Sequence, residues 1–140
     1  MSTVIEEITE KAAAATLTAV GSARWLAPEL IEGSITSPTL PADTYSFAMA
    51  ILELLTGKHP FANLKRDASV IHNIVVLKLM PPRPEQPEVQ RWLSDDLWEL
   101  MRHCWSPDAR ERPLMSAVAA RMKTIEANLT AIESDSMDMS

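Results

Sequence analysis

The chain of 140 residues carries a formal net charge of -6, with 46% hydrophobic and 23% charged residues, which excludes a wholly disordered chain, a collagen-like repeat and a disulfide scaffold. Three glycines against ten prolines leave no room for a glycine-rich phosphate loop, and the single cysteine, Cys104, excludes an intrachain disulfide or a cysteine-based zinc site. The longest apolar run, Phe47 to Leu52, is far shorter than the ~20 residues that span a bilayer, and the first ten residues lack the basic start and apolar stretch of a secretory signal.

Residues 3–20 admit two readings. Thr3 and Glu6 fit a capping box ahead of a thin apolar stripe through Val4, Ile5, Ile8, Ala12 and Ala15, which argues for a helix; the Thr and Ala content equally suits a loop. Residues 33–42, with Gly33, Pro38 and Pro41, read as a loop. Asp43 is then placed to start a helix from Thr44 to Thr56 that is apolar nearly all round and is expected to be buried on every side. Gly57 stops it, with Pro60 just beyond. Asp67 to about Leu79 suits another helix, with Val70, Ile71, Ile74 and Leu77 on one face.

Four prolines in residues 81–88 predict an extended linker. Ser94 caps an amphipathic helix whose inner face is Leu97, Trp98, Met101, Cys104 and Trp105. A charged loop between Pro107 and Pro113 leads to a last helix from about Ser116, with Val118, Met122, Ile125, Leu129 and Ile132 facing inward. The acidic tail from Ser134 is expected to be disordered. The fold class predicted is all-α, with four main helices and a fifth if residues 3–20 are helical.

Several constellations carry no chemistry. His59, His72 and His103 lack a metal ligand at helical spacing. Asp95 and Asp96 diverge on a helix and sit where acids complement its dipole. Cys104 lies on an apolar face, as a core residue does. Trp92 and Trp98 are assigned to helix packing. The charge is -5 over residues 1–57, +3 over 58–123 and -4 over 124–140, too weakly basic in the middle for nucleic-acid binding. The expected setting is intracellular and cytoplasmic, with no membrane partner.

One segment is specific. Gly21-Ser22-Ala23-Arg24-Trp25-Leu26-Ala27-Pro28-Glu29 resembles the end of the activation segment of protein kinases, closing on Ala-Pro-Glu. Three later blocks agree with that family in order and spacing: Asp43-Thr44-Tyr45-Ser46-Phe47-Ala48, Gly57-Lys58-His59-Pro60-Phe61, and Cys104-Trp105-Ser106-Pro107-Asp108 followed by Arg112-Pro113. The chain is thus similar to the later part of the helical lobe of a kinase, over residues 21–132, with residues 1–20 an activation-segment remnant or helix and 133–140 a tail. The block around Arg24-Trp25-Leu26 is most similar to the tyrosine-kinase-like group, whose members phosphorylate mostly Ser and Thr.

The resemblance implies roles for particular residues. Glu29 is expected to pair with Arg112, joining the loop to the last helices. Ser22, Arg24, Trp25 and Leu26 would form the substrate-docking loop, Trp25 and Leu26 lining the pocket for the residue after the phosphoacceptor. Asp43 would mark the start of the central helix. Thr16, Thr18 and Ser22 lie where activating phosphates are often placed, with solvent-facing bystanders as the other reading. Ala48 stands where the family usually has Gly, and Lys78-Leu79 where a Gly usually ends the next helix, which suggests a longer helix or a different exit.

Phosphoryl transfer needs a Gly-rich loop, a Lys–Glu pair, a catalytic Asp with its Asn, and a metal-binding Asp-Phe-Gly. The sequence has no Gly-x-Gly, no His-Arg-Asp and no Asp-Phe-Gly. Met1 falls about where the residue after Asp-Phe-Gly would be. The ATP and Mg of the family are therefore expected to have no site in this chain, which reads as a kinase cut after its metal-binding motif and inactive alone, with no catalytic residue of its own.

A working interaction module that docks a peptide or another kinase through the Trp25 loop and the Val70–Leu77 helix is the alternative; an active kinase of which only this part is represented is a third. Without its usual cover, the central helix would leave ~400–600 Å² open and forfeit roughly 10–15 kcal/mol, as much as a whole domain's stability of about 5–15 kcal/mol. Either residues 3–20 fold back over that face, or the chain is marginal, self-associates or needs a protein partner.

Overall fold

The computed structural model describes residues 20–138. Among them there is no strand, and the main helices follow the order read from the sequence. An opening 3-10 turn, Val20–Trp25, leads into α1, Pro28–Ile31, and then the central helix α2, Leu40–Thr56. Next come α3, Asp67–Ile71, continued by a π turn over His72–Val76, then the short α4, Pro87–Gln90, and α5, Asp95–Cys104. A 3-10 turn, Ala109–Glu111, precedes the long last helix α6, Met115–Asp138.

α2 begins four residues earlier than Thr44. Its cap is Thr39, whose Oγ1 accepts from the Ala42 amide at 3.2 Å, and Asp43 lies inside the first turn. The reason is Pro41. A proline breaks a helix interior, yet it fits the first turn, where its missing N–H would have no partner. Gly57 ends the helix at φ 69°, its amide bonded to the Glu53 carbonyl at 2.8 Å. Ala42, Tyr45, Ala48, Met49 and Leu52 recur at three- and four-residue spacing and form the buried face.

The helix is not buried all round: Leu40, Phe47 and Leu54 face outward, Leu54 at 84% exposure. Ile51, Leu54 and Leu55 instead form one wall of an apolar groove of about 590 Å³, with Trp92 and Leu97 beside them and Met122, Ile125 and Leu129 opposite. Residues 3–19 lie outside the described residues, and with them the helix, loop and fold-back readings of that segment.

The core is shared by α2, α3 with its π turn, α5 and α6, with Leu26, Ala27 and Leu30 entering from the first segment. Ser94 caps α5 as expected, Oγ accepting from the Leu97 amide at 3.2 Å. Leu97, Leu100, Met101 and Cys104 point inward, and Trp105 is buried just beyond. Trp98 meets Trp105 edge to face, ring centroids 5.5 Å apart at 74°. Trp92 is half exposed, with the Arg91 guanidinium 4.9 Å from its ring, so it lines the groove rather than packing helices together. Burial pushes the Cys104 thiol up to about 11, against Arg121 and Arg112, so it stays protonated at neutral pH.

Two further elements end elsewhere than the sequence suggests. Pro87 opens α4 instead of continuing the extended linker, another proline in a first turn. α6 runs to Asp138, beyond Ser134, because no Gly or Pro follows Pro113 to break it. Ile132, expected inward, is 64% exposed, because the helix has by then run past the body of the core.

The exit from α3 has a specific cause. Lys78 adopts φ 54°, the left-handed conformation that Gly would favour, and the Leu79 amide reaches back to the Asn73 carbonyl at 2.9 Å. The helix is therefore not lengthened; a lysine carries the terminating turn. Lys78→Gly is expected to raise stability by about 0.5–1 kcal/mol, read by urea denaturation, while Lys78→Ala leaves it unchanged within that margin. A loss on Lys78→Gly would contradict the strain.

Candidate substrate-docking site

The first segment is fixed from two sides by arginines. Arg24 is 4% exposed and its guanidinium is almost fully occupied. Nε donates to Asp67 Oδ1 at 3.1 Å, Nη1 to the carbonyls of Pro60 and Phe61 at 3.1 and 2.7 Å, and Nη2 to the Leu64 carbonyl at 2.7 Å. Those acceptors lie in the loop after α2 and at the first residue of α3. A loop that turns through Phe61 at φ 56° directs several carbonyls to one point, and a buried guanidinium is the side chain with enough donors to satisfy them. Arg24 is thus turned into the protein and is not available to a docked peptide.

Between the arginines, Ser46 Oγ donates to the Trp25 carbonyl at 2.7 Å, which fastens the segment to α2. Leu26 is also buried, at 8% exposure, as part of the core. Trp25 packs partly against the core and keeps a partly exposed ring. Of the residues assigned to docking, Trp25 is the one whose side chain is both described and accessible. Thr16, Thr18 and the Ser22 side chain lie outside what the structure describes.

The second clamp is the Glu29–Arg112 pair that the resemblance implies. Arg112 Nη1 and Nη2 donate to the two carboxylate oxygens of Glu29 at 2.7 and 2.9 Å, a forked contact. The Arg112 side chain is 0% exposed and that of Glu29 15%. Arg112 Nη1 also reaches the Pro41 carbonyl at 3.0 Å, and Nε reaches the Ser106 carbonyl at 2.9 Å. One guanidinium therefore joins α1, the first turn of α2 and the loop after α5. It lies 5.1 Å from the Tyr45 ring centroid. Burial holds the Tyr45 phenol well above its ordinary range; Arg112 opposes the rise and Glu29 adds to it.

No sequence signal exposed the partners of Arg24. Backbone carbonyls carry no residue identity, and Asp67 reads locally as a helix-start acid. Among the described residues no three His, Cys, Asp or Glu side chains come together, and the whole sequence has no Gly-x-Gly. None of the described helices is long and apolar enough to cross a membrane.

A helical unit whose first segment ends in Ala-Pro-Glu, with that Glu locked to a late Arg, has the architecture of the later helical lobe of a protein kinase. The protein kinase domain family model matches residues 4–122, and the chain belongs to that family. It is similar to mitogen-activated protein kinase kinase kinase 10 of Xenopus laevis, 31% identical over 110 residues, covering 79% of this chain and 10% of that protein. With mitogen-activated protein kinase kinase kinase 11 of Homo sapiens it shares 30% over 113 residues, 81% of this chain and 12% of that protein. A probable serine/threonine-protein kinase of Dictyostelium discoideum is 31% identical over 109 residues, 77% of this chain and 6% of that protein. The chain spans about a tenth of the length of such relatives.

Proposed function

We propose that this chain is the substrate-docking part of a Ser/Thr protein kinase of the tyrosine-kinase-like group, and that it does not transfer phosphate by itself. The observation that carries the reading is the double clamp: Arg24 and Arg112 hold the segment around Trp25 in a fixed shape using only residues of this chain. A segment already ordered loses less entropy when it takes up a peptide. The absence of Gly-x-Gly, His-Arg-Asp and Asp-Phe-Gly from the sequence supports the second half, because phosphoryl transfer is mostly positioning and charge stabilisation by those parts. Phosphorylation of a docked peptide would need the nucleotide-binding half from sequence outside these 140 residues or from another polypeptide.

The test has two arms. Mg-ATP is expected to shift the melting temperature of the chain by less than ~1 °C, because a ligand that does not bind the folded state cannot stabilise it. Peptide capture is expected to be lost in Trp25→Ala while the far-ultraviolet circular dichroism is retained. Transfer of labelled phosphate by the purified chain, or peptide capture indifferent to Trp25, would overturn the proposal.

A further inference from the structure

The loop that Arg24 grips carries charge that nothing in the described structure neutralises. Residues 57–66 contain Lys58, Lys65 and Arg66 and no Asp or Glu. All three cations are exposed, and none forms an ion pair among the described residues. The next residue, Asp67, is the nearest acid along the chain, and its carboxylate is already engaged by Arg24 Nε at 3.1 Å. Lys65 and Arg66 stand between the two acceptors Leu64 and Asp67, so the Arg24 bonds that order the docking segment also hold the stretch of backbone carrying these cations against it.

From this juxtaposition we propose that the docking segment takes acidic peptides, whose carboxylate side chains lie over Lys65 and Arg66 while a neighbouring residue contacts Trp25. The inference rests on the docking role proposed above and adds the chemical class of what is docked. The charge of the whole molecule works against it: at -6 the chain repels an acidic ligand at long range. A preference for acidic peptides must therefore arise from a local cationic surface, within about a Debye length of ~8–10 Å. Two exposed cations acting together on a flexible peptide correspond to a selectivity of about tenfold.

The experiment is fluorescence anisotropy on the full chain with three fluorescein-labelled peptides of one Ser-Leu framework, bearing Glu, Gln or Lys at the same alternating positions. The Glu peptide is expected to bind about tenfold more tightly than the Gln peptide, and the Lys peptide most weakly. That advantage should shrink with added salt and disappear in the double variant Lys65→Glu, Arg66→Glu, checked as folded by its melting temperature. Trp25→Ala should weaken the Glu and Gln peptides alike. Equal, Trp25-dependent binding of the Glu and Gln peptides would overturn the acidic preference and leave the docking role standing. Failure of every peptide to bind in a Trp25-dependent way would overturn both.

Discussion

Arg112→Ala is expected to destabilise the chain by about 3–5 kcal/mol in urea denaturation, because it leaves the Glu29 carboxylate with 15% exposure and no counter-charge. The forked contact of 2.7 and 2.9 Å is only part of the loss. The Pro41 and Ser106 carbonyls lose a charged donor at the same time, and the cation beside the Tyr45 ring is removed. Arg112→Lys should recover less than half, because an ammonium has the charge but not the planar fork that meets two oxygens at once. Glu29→Gln combined with Arg112→Ala should cost less than the two single changes added together, since each removes the other's partner. A loss below ~1 kcal/mol for Arg112→Ala would place the pair among ordinary surface contacts and contradict its structural role.

The second large effect is at Arg24. Arg24→Ala is expected to cost about 2–4 kcal/mol, less than Arg112→Ala because Asp67 is 31% exposed and water can replace part of what is lost. The Phe61 carbonyl also keeps its bond from the Leu64 amide at 2.8 Å. The damage should be local as well as global: amide exchange should rise around residues 22–26 and 60–67 before it rises in α5. Peptide capture should fall in parallel, because the segment around Trp25 loses its anchor. A variant with unchanged exchange in both stretches would show that Arg24 holds nothing in place.

What the sequence made legible divides along physical lines. Features fixed by neighbours in the chain were readable: Ser94 as a cap, Gly57 as a stop, the inward stripe of α5 and the order of the main helices. The Glu29–Arg112 pair spans 83 positions and was legible only through resemblance, since no local pattern links its partners. The start of α2 is hidden because Pro38 and Pro41 both read as loop residues, although a proline in a first turn is favourable. The helix end at Lys78 was hidden because a left-handed lysine has no sequence signature. The resemblance places Arg24 in the docking loop, yet its side chain is buried. Its burial is a property of carbonyls 36 to 40 positions away and of a carboxylate 43 away.

Those separations also set a timetable. During synthesis the segment around Trp25 leaves the ribosome ahead of the described residues that clamp it. It cannot settle against Arg24's acceptors until residues 60–67 have emerged, nor lock through Glu29 until Arg112 has followed. Contacts so distant close late, because the chain between them must first surrender its freedom. The surface that would meet a peptide is made before the residues that clamp it and becomes rigid only after them. A ribosome stalled before Arg112 would therefore hold a nascent chain whose docking segment is open to proteases, whereas one stalled well beyond it would not.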